Sequence, residues 1–239
     1  MLIAVHIEPN DSKGAADFKY PFTKYPLPYT RMKDLLHHLP NSKREEVEQL
    51  TELVSKFKEV EMMILFGSYA RGNWVEDSYV EKGTTYEYRS DYDVLVVLTH
   101  EDLKQKFRIE DKVKAELVST GKVTTPVSLI FHGIKQLNAS LTMGNYFFKD
   151  IKVEGKVLYD SQKFKLAHPK KLTAQQYQQK AQDYFDQWFE SANRFLESYE
   201  FNFSKEYWHE AAFQLHQATA RYYPTILLVF TDCRPKAHN

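Results

Sequence analysis

Two short apolar runs, each joined to a polar motif, constrain this chain more than any other feature. The first run, residues 62–66, leads into a Gly-Ser pair, and the second, residues 94–98, directly follows an Asp-x-Asp pair. Continuous apolar runs of this length, bounded by turn residues, are typical of buried strands. The sequence therefore predicts two strands that carry their polar motifs at the ends where the runs stop or start.

The Gly-Ser pair predicts a tight turn at a helix start, where free backbone N–H groups can approach phosphate oxygens closely. Arg71 follows in an Ala-Arg-Gly sequence and adds a cation suited to phosphate recognition. Ser90 stands immediately before the acidic pair. The residues assigned to nucleotide binding are Gly67, Ser68, Arg71 and Ser90.

The acidic pair, Asp91 and Asp93, predicts a metal site. Residues two apart on an extended segment project from the same face, so the two carboxylates share one side of the strand. Hard carboxylate oxygens suit Mg²⁺ or Mn²⁺, which in turn bridge substrate phosphates. Either motif alone is common in turns or at strand edges. Their joint position beside two buried strands favours a site for a nucleoside triphosphate and a metal.

Composition narrows the class of protein. The 239 residues contain 32 Lys plus Arg and 32 Asp plus Glu, so net charge does not favour a nucleic-acid partner. The single cysteine, Cys233, excludes an internal disulfide and a cysteine-based zinc cage. The start of the chain lacks a basic leader, and residues 226–230, the longest later apolar run, are too few to cross a bilayer. We expect a soluble cytoplasmic protein without a membrane partner.

Changes in pattern along the chain predict four parts. The first part has prolines and no lasting periodicity, and the second has helical spacing followed by apolar runs. The third part is polar and basic, and the fourth has the pattern of long aromatic helices. The four parts are an irregular N-terminal arm (1–40), a strand-containing domain (41–160), a linker (161–172) and a helical domain (173–239). Within the second part, a loop over the nucleotide or acceptor is predicted between the two strands (73–89). After the second strand, the pattern predicts a helix (107–118), a third strand (123–131) and a further helix (137–148).

Gly67, Ser68, Asp91 and Asp93 together resemble the nucleotidyltransferase superfamily that includes DNA polymerase β and kanamycin nucleotidyltransferase, in particular its minimal nucleotidyltransferases. The resemblance covers about residues 41–160 and implies an α+β fold, in which a small mixed sheet with flanking helices precedes the helical bundle. It also implies that Gly67 and Ser68 contact the triphosphate, expected to be ATP, while Asp91 and Asp93 are catalytic and hold Mg²⁺.

This chain departs from that family in two ways. The interval between Ser68 and Asp91 is longer than usual, and the third predicted strand has no Asp or Glu where relatives carry a third carboxylate, often the general base. Ser128, His132 or a water molecule are the candidates to take that role. Alternatively, the site binds nucleotide without turning it over.

Residues 173–239 resemble a HEPN domain, on the basis of two long aromatic helices, the run at residues 211–218 and the closing Arg234 and His238. The spacing of that Arg-His pair does not fit the ribonuclease motif, so the resemblance is to non-nuclease members. It implies a homodimer and a truncated C-terminus. His209 and His216 share one helix face, where packing and surface polarity are favoured over a metal pair.

Two functions from different classes follow. The first is an enzyme that uses Mg²⁺ or Mn²⁺ to transfer a nucleoside monophosphate from an NTP to a hydroxyl on a small molecule or protein. The second is a catalytically degenerate nucleotide-binding sensor, or a regulator of the toxin–antitoxin type.

Overall fold

The computed structural model describes residues 34–81 and 84–232. The predicted arm at residues 1–40 lies mostly outside these residues, as do Cys233, Arg234 and His238. The strands are β1 (Val60–Phe66), β2 (Glu76–Glu81), β3 (Thr84–Arg89), β4 (Tyr92–Leu98), β5 (Val127–Gly133) and β6 (Lys156–Asp160). The helices are α1 (Asn41–Ser55), α2 (Gly67–Arg71), α3 (Leu103–Thr120), α4 (Ile134–Thr142), α5 (Tyr146–Glu154), α6 (Ala174–Ser204) and α7 (Trp208–Thr231).

A four-stranded mixed sheet organises the first part of the chain, in the order β5-β4-β1-β6. Strand β4 runs parallel to β5 and antiparallel to β1, and β6 is antiparallel to β1. The two apolar runs of the sequence lie in β1 and β4 at the centre of this sheet, where neighbours on both sides and helices on both faces bury them. The predicted α+β fold with a small mixed sheet is confirmed.

Both faces of the sheet pack against helices. Alternate side chains of a strand point to opposite faces, so Met63 and Leu65 join one core with α1 and α3, while Met62 and Ile64 join another with α4 and α5. The site motifs lie at the end of the sheet where β1 finishes and β4 begins, because these central strands are antiparallel.

Two sequence predictions in this part were wrong. The single helix predicted over residues 137–148 is two helices, because Gly144 takes a positive φ of 66° and Asn145 caps α5 by accepting the Phe147 N–H. The loop predicted at residues 73–89 contains a hairpin, in which β2 and β3 pair as a separate two-stranded sheet. The predicted third strand is present as β5, beginning after Pro126.

Two long helices, α6 and α7, follow a segment without helix or strand at residues 161–173. Helix α6 begins with a capping box between Thr173 and Gln176. Since residues 205–207 form a short connection, the helices run antiparallel. They are joined across their length by bonds such as that from the Tyr222 hydroxyl to Asn193 Oδ1 (2.6 Å). The expected pair of helices is present, whereas membership of the HEPN family and the domain limits stay predictions.

The helical pair is attached to the sheet domain at the turn between α4 and α5. Lys180 Nζ donates to the carbonyl oxygen of Gly144 and to Asp232 Oδ2, both at 2.6 Å. The Tyr146 N–H donates to the Tyr184 hydroxyl at 3.4 Å. This places the first turns of α6 and the last of α7 beside the sheet domain. Among the described residues, no helix combines the length and apolar character that crossing a bilayer requires.

Candidate active site

Gly67 forms the junction between β1 and the short helix α2. Its φ is +73°, a left-handed conformation that residues with a side chain rarely adopt. A Cβ atom at this position would overlap Asp93 Oδ2, far inside van der Waals contact. The sequence-predicted turn and the sequence-predicted carboxylate are therefore in direct contact, and only glycine allows it.

The acidic pair lies where β4 begins. Asp93 is half-buried and pairs with Phe66 on β1 on one side and with Ser128 on β5 on the other. Burial, together with the charge of Asp91, raises the pKa of Asp93 to about 6. The Arg71 guanidinium opposes this shift. Asp91 and Arg71 are thus close enough to Asp93 to influence its charge, while their roles in metal and nucleotide binding stay predictions.

Arg71 also has a partner that the sequence did not indicate. Its Nη1 atom lies 4.0 Å from Glu154 Oε2, at the last residue of α5. Both side chains are partly exposed, so the ion pair is weak in water.

Ser90 has a structural contact at the base of the hairpin. Its Oγ accepts the Val75 N–H at 2.9 Å, and its own N–H donates to the Val75 carbonyl oxygen at 2.8 Å. The two bonds close the chain where it leaves and re-enters the sheet domain. The hairpin therefore begins and ends beside the acidic pair, while the nucleotide contact predicted for Ser90 stays a prediction.

Comparison with known proteins identifies this part of the chain. Residues 48–164 match the family model described as Polymerase beta, Nucleotidyltransferase. The match supports a nucleotidyltransferase domain of the polymerase β type at these residues. The match spans both motifs and all of β1 to β6. A search of curated proteins found none that matches the sequence.

Nucleotidyltransferase domains generally use a divalent metal ion and a nucleoside triphosphate. The donor set in this domain fits such an ion, since hard carboxylate oxygens are the ligands it prefers and a bound cation would offset the cost of ionising the half-buried Asp93. Asp91 and Asp93 would hold the ion. Within residues 34–81 and 84–232, no three His, Cys, Asp or Glu side chains converge on a common metal position.

The candidates for the missing third carboxylate differ in position. Ser128 is the register partner of Asp93, whereas His132 is the partner of Val97, four residues further along the parallel pair. At about 3.3 Å per residue, His132 lies roughly 13 Å along the strand from the acidic pair. Its ring packs edge-on against Phe148 at 4.8 Å, and burial lowers its pKa. His132 therefore lies away from the acidic pair, whereas Ser128 lies beside it.

Glu46, for which no role was predicted, lies behind the acidic pair. Burial favours a raised pKa for this carboxyl group, but the hydrogen bonds that it accepts from Thr125 and Thr124 hold its pKa at about 2. The residue is ionised and only 8% exposed. His209 and His216, by contrast, are exposed on α7, far along the chain from this site.

Proposed function

We propose that the protein is a metal-dependent nucleotidyltransferase that moves a nucleoside monophosphate from an NTP, with ATP the expected donor, to a hydroxyl group. The observation that supports it is the direct contact between Gly67 and Asp93. That contact brings the turn expected to bind phosphate and the carboxylates expected to bind metal to one point. The acceptor is a small molecule or a protein side chain, in keeping with the balanced charge of the chain.

In this reaction the acceptor oxygen bonds to the α-phosphorus, the bond to pyrophosphate breaks, and the hydroxyl proton passes to water. Asp91 and Asp93 hold Mg²⁺ or Mn²⁺, which when bound offsets negative charge on the phosphates. The backbone N–H groups of the Gly-Ser turn and the Arg71 guanidinium fix the remaining phosphate oxygens. Ser128, beside Asp93, is the side chain of β5 available to orient the acceptor or its water.

A second candidate is a nucleotide-binding sensor or a regulator of the toxin–antitoxin type. The observation that favours it is β5 itself, which offers a serine beside Asp93 and no carboxylate anywhere along its length. Such a protein binds metal and nucleotide and leaves the nucleotide intact.

A label-transfer experiment distinguishes the nucleotidyltransferase from the nucleotide-binding sensor or regulator. The intact protein is incubated with α-labelled ATP, CTP, GTP or UTP and Mg²⁺ or Mn²⁺, alone and with a cell extract, beside an Asp91→Ala/Asp93→Ala double variant. We expect label on an acceptor with the wild type and a reduction of at least about 1000-fold in the double variant, since both metal ligands are removed. Equal labelling by both proteins contradicts the proposal. Nucleotide binding by calorimetry without any labelling favours the sensor.

We also propose that the protein forms a homodimer through α7. Residues spaced alternately by three and four positions form an outer seam on this helix, and all of them are exposed and uncharged. The outer seam consists of His209, Ala212, His216, Thr219, Tyr223, Ile226 and Phe230. The charged residues of α7 are Glu210 and Arg221 alone. A helix with so little charge is normally covered on every side.

A second copy suits the outer seam because its two halves are complementary. The first half carries the small Ala212 and Thr219 alternating with His209 and His216, and the second carries Tyr223, Ile226 and Phe230 at 66%, 55% and 63% exposure. When two copies of α7 pair antiparallel about a two-fold axis, the large apolar half of each faces the half of the other that carries the two small side chains.

Sedimentation equilibrium tests the dimer. Ile226→Glu is expected to weaken dimerisation by about 50-fold, since a charge would be buried without a partner in the apolar half of the interface. Val118→Glu on α3, where the valine is 85% exposed, is the matched control and is expected to leave the association unchanged. A monomeric wild type at about 100 μM, or an Ile226→Glu variant that dimerises normally, contradicts the interface.

A further inference from the structure

The side chain between the two acidic residues points to the opposite face of the sheet. Because side chains alternate along a strand, Tyr92 enters the core on the α1 side while Asp91 and Asp93 face the site. Tyr92 is fully buried. Its hydroxyl donates to Glu46 Oε2 at 2.8 Å and lies 3.3 Å from the Lys43 carbonyl oxygen. The segment that carries the acidic pair is thus tied from behind to α1.

Glu46 is the centre of this attachment. Its Oε1 accepts the Thr124 N–H at 2.9 Å and the Thr124 hydroxyl at 2.7 Å, and its Oε2 accepts the Thr125 hydroxyl at 2.6 Å as well as Tyr92. The Tyr92 N–H donates to the Pro126 carbonyl oxygen at 2.8 Å. One buried carboxylate therefore joins α1 to the start of β4 and to the segment that leads into β5.

The Gly-Ser turn is joined to the same cluster. Tyr69, in α2, packs its ring on that of Tyr92 with centroids 4.5 Å apart, and it is fully buried. A ring nitrogen of His38 bonds to the Tyr69 carbonyl oxygen at 2.8 Å. Lys43, which donates to Thr125 Oγ1 at 2.8 Å, also bonds to Glu76 at the start of the hairpin. The Gly-Ser turn, the start of the hairpin, the start of β4 and the segment that leads into β5 are thus anchored from behind within this one cluster.

We propose that Glu46, acting through Tyr92, is a positioning residue that sets the separation and direction of the Asp91 and Asp93 carboxylates. Neither residue touches substrate. Two carboxylates that share an ion need fixed positions within about half an ångström, and partners that orient metal ligands are typically worth 10- to 100-fold in metal affinity. This inference rests on the proposed metal and nucleotide site.

The cluster offers two clean substitutions. Tyr92→Phe removes only the hydroxyl and keeps the ring contact with Tyr69. Glu46→Gln keeps the size of the side chain but replaces one acceptor oxygen with an NH₂ donor. Because the Thr124 N–H can only donate, the amide oxygen is expected to face it, so the hydroxyl groups of Tyr92 and Thr125 face the NH₂ group and can no longer donate as they do in the wild type.

Matched controls exist at a distance from the site. Glu61 is a second buried carboxylate of the same sheet, at the opposite end of β1, where its Oε1 accepts the Thr99 hydroxyl at 2.8 Å and Lys163 Nζ at 3.1 Å. Tyr184 on α6 is a second buried tyrosine whose hydroxyl is hydrogen-bonded. Glu61→Gln and Tyr184→Phe remove comparable bonds without touching the segment between Asp91 and Asp93.

The experiment measures the dissociation constant for Mn²⁺ with α,β-methylene-ATP by calorimetry, and thermal unfolding of each full-length variant. Tyr92→Phe and Glu46→Gln are each expected to weaken binding about tenfold. The double variant is expected to bind no more weakly than the weaker-binding of the two single variants, because the two residues act in series. The controls are expected to bind within about twofold of wild type, whatever stability they lose.

Binding by Tyr92→Phe and Glu46→Gln at the level of the controls would show that the cluster only stabilises the fold, which overturns the inference. A wild type that binds neither Mn²⁺ nor the analogue overturns the proposed function instead, and the positioning role with it. The wild-type measurement therefore separates the two failures.

Discussion

Asp93→Asn is expected to make the ligand-free protein more stable at neutral pH while abolishing its metal-dependent binding of nucleotide. Burial and the nearby charge of Asp91 raise the pKa of Asp93 to about 6, which means that its ionised form is disfavoured in the folded protein. Asparagine has nearly the same shape and no charge. It removes that cost together with the metal ligand, so stability and function change in opposite directions.

The sign of the pH dependence follows from the direction of the shift. The folded-state pKa lies above the ordinary value of 3.8, so between about pH 4 and pH 6 the folded protein holds a proton that the unfolded chain has released. Ionisation therefore lowers the stability of the wild type as pH rises through this window, and the loss is complete above it. The gain from Asp93→Asn should be about 1–3 kcal/mol at pH 7.5 and should vanish near pH 4.

Thermal unfolding at pH 4, 5, 6 and 7.5, without ligand and with Mn²⁺ and α,β-methylene-ATP, measures both effects. Wild type should gain several degrees from the ligand, and Asp93→Asn should gain none. Asp160→Asn, at the last residue of β6, alters a buried carboxyl group at the other end of the sheet and should keep the ligand-induced gain. A destabilised Asp93→Asn variant at pH 7.5, or one still stabilised by ligand, contradicts the electrostatic account.

The parts of the fold that the sequence predicted are those with a local signal. The buried strands at residues 62–66 and 94–98 are continuous apolar runs, and their burial in the sheet accounts for that composition. The break between α4 and α5 carries a short local signal, the Gly144-Asn145 pair, but the apolar spacing on either side of it also fits one continuous helix. The hairpin was missed because its strands lack the apolar runs that mark a buried strand, in keeping with the exposure of the described side chains at residues 76–80 and 87–89.

The same distinction applies to the site. Gly67, Asp91 and Asp93 carry motifs that are readable within a few residues, and the structure brings Gly67 and Asp93 into contact. Glu46 supports the site from behind, from α1, and Glu154 contacts Arg71 from the end of α5, and only the completed sheet brings those helices to it. A residue whose role depends on contacts across many tens of positions leaves no pattern in its own neighbourhood.

Gly67→Ala is expected to reduce label transfer by at least about 100-fold and to destabilise the protein by about 2–4 kcal/mol. Part of the cost is conformational, since alanine is strained at a φ of +73°. The larger part is steric, because the new methyl group would overlap Asp93 Oδ2 and force the turn and the carboxylate apart. The displacement disturbs the phosphate turn and the metal ligand at once, so a single methyl group alters both halves of the site.

Comparison with Gly121→Ala separates the steric cost of Gly67→Ala from its conformational cost. Gly121 ends α3 with a φ of +58°, and a Cβ atom there would meet nothing within 4 Å. This variant carries a similar conformational cost, about 1 kcal/mol, without a collision, and label transfer should be unchanged. Thermal unfolding and label transfer of the two variants side by side therefore assign the difference to the contact with Asp93. If Gly67→Ala loses no more activity than Gly121→Ala, the turn is free to move away from the carboxylate, and the close approach is not what requires glycine at this position.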